Sequence, residues 1–494
     1  METTLNLSTV LYRRPAAPAR KQGGLGTLFR PVDLIHGSCW RAILAFACPI
    51  ILSYLLQQIY TISDAAIVGQ TLSAQEVAGV NDTSALIFIF LQFAFGVSAG
   101  FCSVTSCRVG AHDDAGVRRS LAVQFLLSGI LTVLLTALAL ALLDPMLAWI
   151  NVTPESGEVY RAAHTYCAVI FAGIGAQLFY NFVCSFLRSM GDSATPLAFL
   201  LFSTVLNVGL DLLFILSFRW GVAGAAFATV TAQLISTVGC FLYAFRRYPQ
   251  LRLTKADWRF PRHEVTRHLI QGVPLGLQFS VLAVGIIVMQ SVVVQFDMQD
   301  GAMVSAAAQN GFGAATKLNN LLMTPLNGLG AGDSRRIRRG ALQALGMAGA
   351  MALAAIGLGL LCSRNGAYLH LFLSADKVTE ATVLFGNRYL YVDLAMYFFL
   401  AFIFTIRNCV QGIGKPQFIL GAGTAELAAR VLVCLFVPAA LAGGAVSADA
   451  PALSYLALCA ADPVAWIAAD IVLLIPFLRN ILRQDYRYFY RTEE

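Results

Sequence analysis

Residues 181–196 read N-F-V-C-S-F-L-R-S-M-G-D-S-A-T-P, residues 197–217 read L-A-F-L-L-F-S-T-V-L-N-V-G-L-D-L-L-F-I-L-S, and residues 219–233 read R-W-G-V-A-G-A-A-F-A-T-V-T-A-Q. A long apolar run therefore carries Asn207 and Asp211, four residues apart and so on one face of a helix. A carboxylate at the centre of a membrane helix costs about 2.5–3.5 kcal/mol on insertion scales. It needs a partner, a cavity or a proton, and the rest of the chain is read for which of these it has.

The apolar run is typical of the whole chain. Of 494 residues 58% are hydrophobic and 12% charged, and the mean hydropathy is +0.70. This excludes an ordinary water-soluble domain and predicts a polytopic membrane protein in contact with the lipid bilayer. Twelve segments are long and apolar enough to span: 42–64, 78–105, 121–143, 162–186, 195–217, 222–245, 269–295, 304–328, 341–362, 382–406, 417–440 and 455–478. The expected fold is an all-α integral membrane protein of twelve transmembrane helices. The net charge of +7 does not imply nucleic acid, because the cations sit between the segments. Arg108, Arg118, Arg119, the run from Arg246 to Arg267, Arg335 to Arg339, Arg407, Lys415 and Arg479 to Arg491 all fall on one side of a twelve-span chain. The other side holds few cations, such as Arg161, Arg219, Arg364, Lys377 and Arg388. The positive-inside rule then places both termini in the cytoplasm and the chain in a cell (inner or plasma) membrane. The eleven cysteines are scattered through the apolar segments with no C-x-x-C pair, so they read as small core residues.

Residues 1–35 lack an apolar signal-peptide core and read as a disordered cytoplasmic tail. The passage 107–120, C-R-V-G-A-H-D-D-A-G-V-R-R-S, resembles 328–340, G-L-G-A-G-D-S-R-R-I-R-R-G. Cys48-Pro49 opens the first segment as Val273-Pro274 opens the seventh, and 187–196 resembles 410–417. All offsets lie near 220–230 residues, which predicts two pseudo-symmetric six-helix lobes. The expected domains are an N-terminal lobe at 36–245, a basic cytoplasmic linker at 246–268, a C-terminal lobe at 269–480 and a tail at 481–494.

Other polar residues stand inside the spans. Asp64 ends the first segment, either solvated at the outer mouth or turned into a cavity, which a kink at Pro49 would favour. Thr229 brings a hydroxyl to membrane depth, where it bonds either its own helix or a neighbour. Gly221 and Gly224 read as close-packing positions. Gln58, Lys317, Asn320, Glu426 and Arg430 are candidates for a substrate cavity or for structural polar contacts. Asn319 belongs with Lys317 and Asn320, facing a cavity or the first half. Glu426 and Arg430, four apart, read as a self-neutralising pair. Asp393 reads as a solvated residue near the outer end of the tenth segment.

These residues together resemble the multidrug and toxic compound extrusion (MATE) transporters. The resemblance rests on P-I-I-L-S-Y (49–54), Y-T-I-S-D-A-A-I-V-G (60–69), L-R-S-M-G-D-S-A-T-P (187–196) with N-V-G-L-D (207–211), G-V-A-G-A-A-F-A-T (221–229), R-N-C-V-Q-G-I-G-K-P (407–416) and E-L-A-A-R (426–430). It implies a proton or sodium site in the N-terminal lobe at Asp64, Asn207, Asp211 and Thr229, as in the family's DinF-like branch. The NorM-like branch has a glutamate early in the seventh helix, whereas 272–284 here carry no acid. The family's eighth helix is longer than the segment before Gly328–Gly332.

The implied function is secondary active antiport by alternating access. A small organic, cationic drug or metabolite leaves in exchange for H+ or Na+, without a further cofactor and with a monomer as the family's expectation. In a dry cavity one of two carboxylates is driven to hold its proton, while carboxylate, amide and hydroxyl oxygens also suit Na+. The alternatives are a lipid-linked precursor flippase of the same superfamily and a transport-impaired relative with a shortened eighth helix. An enzyme is not expected: the six histidines form no metal or nucleophile pattern within the spans.

Overall fold

The computed structural model describes residues 39–482 except 151, 260, 300–301, 324–333, 373–377 and 413–414. The 1–35 tail, most of the 481–494 tail and the passage Gly328–Gly332 thus lie outside the described residues.

The first lobe is built from α1 (Cys39–Thr71), α2 (Ala74–Gly110), α3 (Asp114–Ala141), the short α4 (Leu143–Trp149), α5 (Glu158–Ala172), α6 (Ile174–Ser189), α7 (Ala194–Asp211) and α8 (Gly221–Arg247). The second follows as α9 (Arg262–Gln295), a two-residue-per-strand hairpin pairing Met298–Gln299 with Ala302–Met303, α10 (Ala307–Met323), α11 (Ser334–Ser363), the single turn α12 (Leu369–Phe372), α13 (Glu380–Ala395), α14 (Tyr397–Gly412), α15 (Pro416–Ala442), α16 (Ala452–Cys459) and α17 (Ala461–Pro476). Eight helices among the described residues are long and apolar enough to cross a membrane. Two bent pairs, α5 with α6 at 43° and α13 with α14 at 55°, raise this to ten. With α1 and α10, the order accommodates the twelve expected segments.

Local chemistry sets the helix ends. Ser73 and Glu76 form a reciprocal capping box at α2: the Glu76 amide donates to Ser73 Oγ at 3.2 Å and the Ser73 amide to Glu76 Oε2 at 3.0 Å. At the start of α7 the motif G-D-S-A-T-P acts through Asp192. Its Oδ1 accepts from the Thr195 amide at 3.0 Å, and its Oδ2 accepts from Thr195 Oγ1 at 2.7 Å and from Tyr248 Oη at 3.1 Å. The motif therefore ties the entry of α7 to the exit of α8, which fixes the depth of everything farther along α7.

The structure also departs from the segment boundaries. The fourth span is not one rod but breaks at Gly173, where an added Cβ would lie 2.3 Å from Val230 Cγ2; only glycine lets the bend approach α8. The tenth breaks at Met396, whereas the twelfth runs as one span over Ala452–Arg479 with a single irregular residue, Ala460, between α16 and α17. The helix α8 runs to Arg247 and α9 starts at Arg262, both within the stretch expected as a linker, and a 3-10 turn at Pro249–Leu251 lies between them. Segment eight is represented by α10, whose 17 residues rise about 26 Å against a hydrocarbon core of about 30 Å. Its N-terminus is capped by Asp297, which accepts from the Ala308 amide at 3.0 Å and the Gln309 amide at 2.9 Å. Pro49 lies inside α1, which continues through it.

The buried cores separate along the repeat. One cluster gathers α9 to α17 with Ala47 from α1, and others gather α2 to α8. The lobes meet chiefly where α2 packs on α9. Because three accepted hydrogen bonds converge on Asp192, we expect Asp192→Ala to destabilise the folded chain by about 2 kcal/mol. The check is a lower melting temperature in detergent; an unchanged one would show that the loop is held by other contacts.

Candidate functional site

Asp64, Asn207, Asp211 and Thr229 come together inside the first lobe, on α1, α7 and α8. Asp211 is 0% exposed and Asn207 1%. The four-residue spacing turns both inward, and α7 widens into a π-helical turn at Leu212–Ser217 directly after Asp211. Such turns interrupt regular packing and often mark functional positions. Gly224 lets α8 approach that turn, since an added Cβ would sit 3.2 Å from the Phe214 backbone. Gly221 adopts a left-handed φ of 56° in the connection.

Asp64 is half-buried and faces Asp211 closely enough for the two carboxyl groups to share a hydrogen bond. It is therefore not a solvated mouth residue. Thr229 does not turn to its own helix in these contacts: its Oγ1 accepts from Asn207 Nδ2 at 3.5 Å and from Tyr60 Oη at 3.5 Å. Four buried acceptors receive no donor among the described residues: Asp64 Oδ1, Asn207 Oδ1 and both oxygens of Asp211. The pocket is thus rich in oxygen acceptors, and among the described residues no lysine or arginine contacts either acid. Chemically it can hold a shared proton or a hard cation. Tyr60 was not among the expected residues, although it stands four residues before Asp64 and so on the same face. Tyr166 on α5 lies beside Tyr60 and Asp64.

A second polar cluster occupies the other lobe, and much of it departs from the sequence reading. Asp393 is 0% exposed, not solvated, because the bend between α13 and α14 folds it inward. It accepts from Asn319 Nδ2 at 2.8 Å. Asn319, in turn, accepts from Tyr397 Oη through its backbone oxygen at 3.1 Å and also through its side chain. It therefore faces the second lobe's own core and not the first half. Glu426 and Arg430 do meet, at 3.4 Å, but each has a closer partner. Arg430 Nε donates to Asp462 Oδ1 at 2.8 Å, and Arg407 Nη2 donates to Glu426 Oε2 at 2.9 Å. Arg407 is buried in α14 and is not one of the loop cations. Tyr389 Oη donates to Asp462 Oδ2 at 3.0 Å, and Asp470 faces Arg407 and Glu426 with neither oxygen receiving a donor. Asp462 and Asp470, two acids in an apolar segment, were the available signal for this network. Lys317 is exposed and Asn320 half-buried, and both have polar partners. Gln58 is half-buried on α1.

Removing one member of a buried ion network strands the others. We expect Arg430→Leu, which leaves Asp462 and one face of Glu426 without their cation, to cost about 3–5 kcal/mol. Thermal unfolding in detergent checks this; a loss below about 1 kcal/mol would mean that water already reaches the cluster.

Comparison with known proteins agrees with this architecture. The family model described as MatE matches residues 49–213. The chain is 30% identical over 301 residues to the probable multidrug resistance protein YpnP of Bacillus subtilis, covering 59% of this chain and 63% of the relative. It is 27% identical to the probable multidrug resistance protein YoeA of the same organism, covering 59% and 62%. The chain thus spans somewhat under two thirds of the length of these relatives. Among solved structures, a MATE protein in complex with MaL6 superposes with a TM-score of 0.75 at 21% identity, covering 90% of this chain and 97% of that one. An outward-facing MATE-family transporter superposes with a TM-score of 0.74 at 20% identity, covering 92% and 97%. At such identities these structures establish the shared fold. With the family model matched over residues 49–213 and the fold of the solved MATE structures over nine-tenths of its length, the chain is similar to the MATE family and shares its fold.

Proposed function

We propose that the chain is a secondary active antiporter. It exports small organic cations in exchange for H+ or Na+ bound in the first lobe; that its relatives are named probable multidrug resistance proteins supports a drug-like cargo. The observation that carries this reading is Asp211, fully buried, faced by the half-buried Asp64 and, among the described residues, without a donor to either oxygen. Two adjacent carboxyl groups so withdrawn from water, with no cationic side chain beside them, are stable only with a proton between them or a cation upon them. Either occupant is exchangeable, whereas an arginine partner would not be. Asn207 Oδ1 adds one more oxygen, and the Tyr60 and Asn207 donors hold Thr229 in place.

In this reading the basic face is cytoplasmic. Occupancy of the pair by a proton or Na+ favours one packing of α1 against α7, and the exported cation favours another. The site resembles the DinF-like arrangement. A lipid-linked precursor flippase fits less well: such a cargo carries phosphate and calls for a basic cavity, whereas both buried arginines of the second lobe are neutralised by carboxylates.

The test is ethidium efflux from proteoliposomes under an imposed proton gradient and, separately, a sodium gradient. The parent chain should export dye under one of the two, which identifies the ion. Asp211→Asn should lower the gradient-driven rate at least about tenfold, the scale of about 1.4 kcal/mol of lost coupling. Equal export by parent and variant would remove Asp211 from the coupling site.

A further inference from the structure

The seam between the lobes has a regular register. Gly96 on α2 faces Gly276 on α9: an added Cβ at Gly96 would lie 2.7 Å from Leu275 O and 2.8 Å from Gly276 Cα. One turn on, Gly100 faces Gly272, where an added Cβ would lie 2.5 Å from Gly272 Cα. The helices are antiparallel, so the pairing continues in steps of four residues, past Val104 beside His268, to Arg108 beside Glu264. At that last position Arg108 Nη2 makes an ion pair with Glu264 Oε1. Glu264 is 3% exposed and His268 0%. His268 Nε2 shares a hydrogen bond of 2.8 Å with Ser120 Oγ, and its Nδ1 one of 2.7 Å with the Glu264 backbone oxygen. Two neighbours complete the charge at this end: Asp113 lies 3.6 Å from Arg108, and His263 lies 3.7 Å from Glu264.

The two halves of this ladder differ mechanically. The glycine pairs bring the two backbones close together, with Phe279, Phe101 and Val97 seated over Gly96, Gly272 and Gly276, so this stretch is a tight, uncharged crossing that stays together as a fulcrum. The ion pair is part-buried, directional and made across the lobe boundary. It lies twelve residues from the Gly96–Gly276 contact on each helix, about 18 Å along the axes at 1.5 Å per residue. A contact at the end of such a lever resists separation of the basic ends most strongly.

We infer that Arg108–Glu264, with His268 packed on Ser120, is the latch that holds the basic face closed, and that Gly96, Gly100, Gly272 and Gly276 are its pivot. Opening separates the ion pair and admits water to it, and closing restores it. The inference rests on the alternating-access reading for its purpose, but not for its test.

Spin-label amino acids are placed at the exposed positions Ala115 and Gln417, one on each lobe at the basic face, and their separation is measured by pulsed electron resonance in nanodiscs. The parent should give one short-distance population. Glu264→Gln and Arg108→Gln should each add a longer-distance population. The charge swap, Arg108→Glu with Glu264→Arg, should return the distribution towards the parent's. If the single variants keep the parent's distribution, or if the swap stays as open as they are, the latch is overturned. Should the singles fail to fold, the swap decides alone, since it must fold and reproduce the parent's distances. The readout needs neither substrate nor gradient. Absence of dye export with responsive distances would refute the antiport reading and leave the latch standing; dye export with unresponsive distances would do the reverse.

Discussion

A carboxyl group in an apolar interior must find a partner, and the two lobes meet that requirement in opposite ways. In the second lobe Asp462 and Glu426 are held by Arg430 and Arg407, and Asp393 by the Asn319 amide. In the first lobe Asp211 meets, among the described residues, another acid and neutral groups. A protein-supplied cation makes a permanent structure, because breaking the pair would strand both charges. A missing one leaves the requirement to whatever the solution supplies. In the proposed reading this difference gives exchange to the first lobe and rigidity to the second, although both derive from one repeated six-helix plan.

The helices that build the first-lobe site also limit how its occupancy can be felt elsewhere. Asn207, Asp211 and Thr229 lie on α7 and α8, which pack chiefly within their own lobe. Asp64 and Tyr60 lie on α1, which packs on α7 and also on α11 of the second lobe. Of the helices that carry the site, α1 is the one with substantial packing across the boundary among the described residues. A change in the repulsion between Asp64 and Asp211 acts directly on the α1–α7 contact. Its mechanical route to the other lobe is then α1 itself, with no chain of intermediates required.

The membrane class and the number of segments were legible because each depends on local pattern, apolar length and charge asymmetry; Asn207 and Asp211 share a face by their four-residue spacing, and that Asp64 and Thr229 gather with them was expected from the family motifs alone. Tyr60 was equally legible by spacing from Asp64, but tyrosines are common at membrane interfaces and nothing in the sequence set this one apart. What the chain order hid were relations between distant segments. Asp393 lies near a segment end in sequence, yet the bend at Met396 buries it. Arg407 belongs by position to a basic loop, yet Glu426 draws it into the core. The i,i+4 pairing of Glu426 with Arg430 was correct and incomplete, because a local rule cannot see Asp462 arriving from α17. Helix bends at Gly173 and Met396 were invisible for the same reason, since hydropathy averages over them.

The seam between the lobes connects these points. The helix α2 is 37 residues long, and the part that crosses α9 runs from Ser280's acceptor, the Ile89 carbonyl, down to Arg108. This crossing restrains the seventh segment along its length, whereas α1, among the described residues, is held mainly by α7 and α11. The helix that carries Asp64 therefore has less packing across the lobe boundary than α9. In the proposed reading, this leaves movement to the helix that bears one of the two facing carboxyl groups, while the second-lobe core stays fastened by its own ion network.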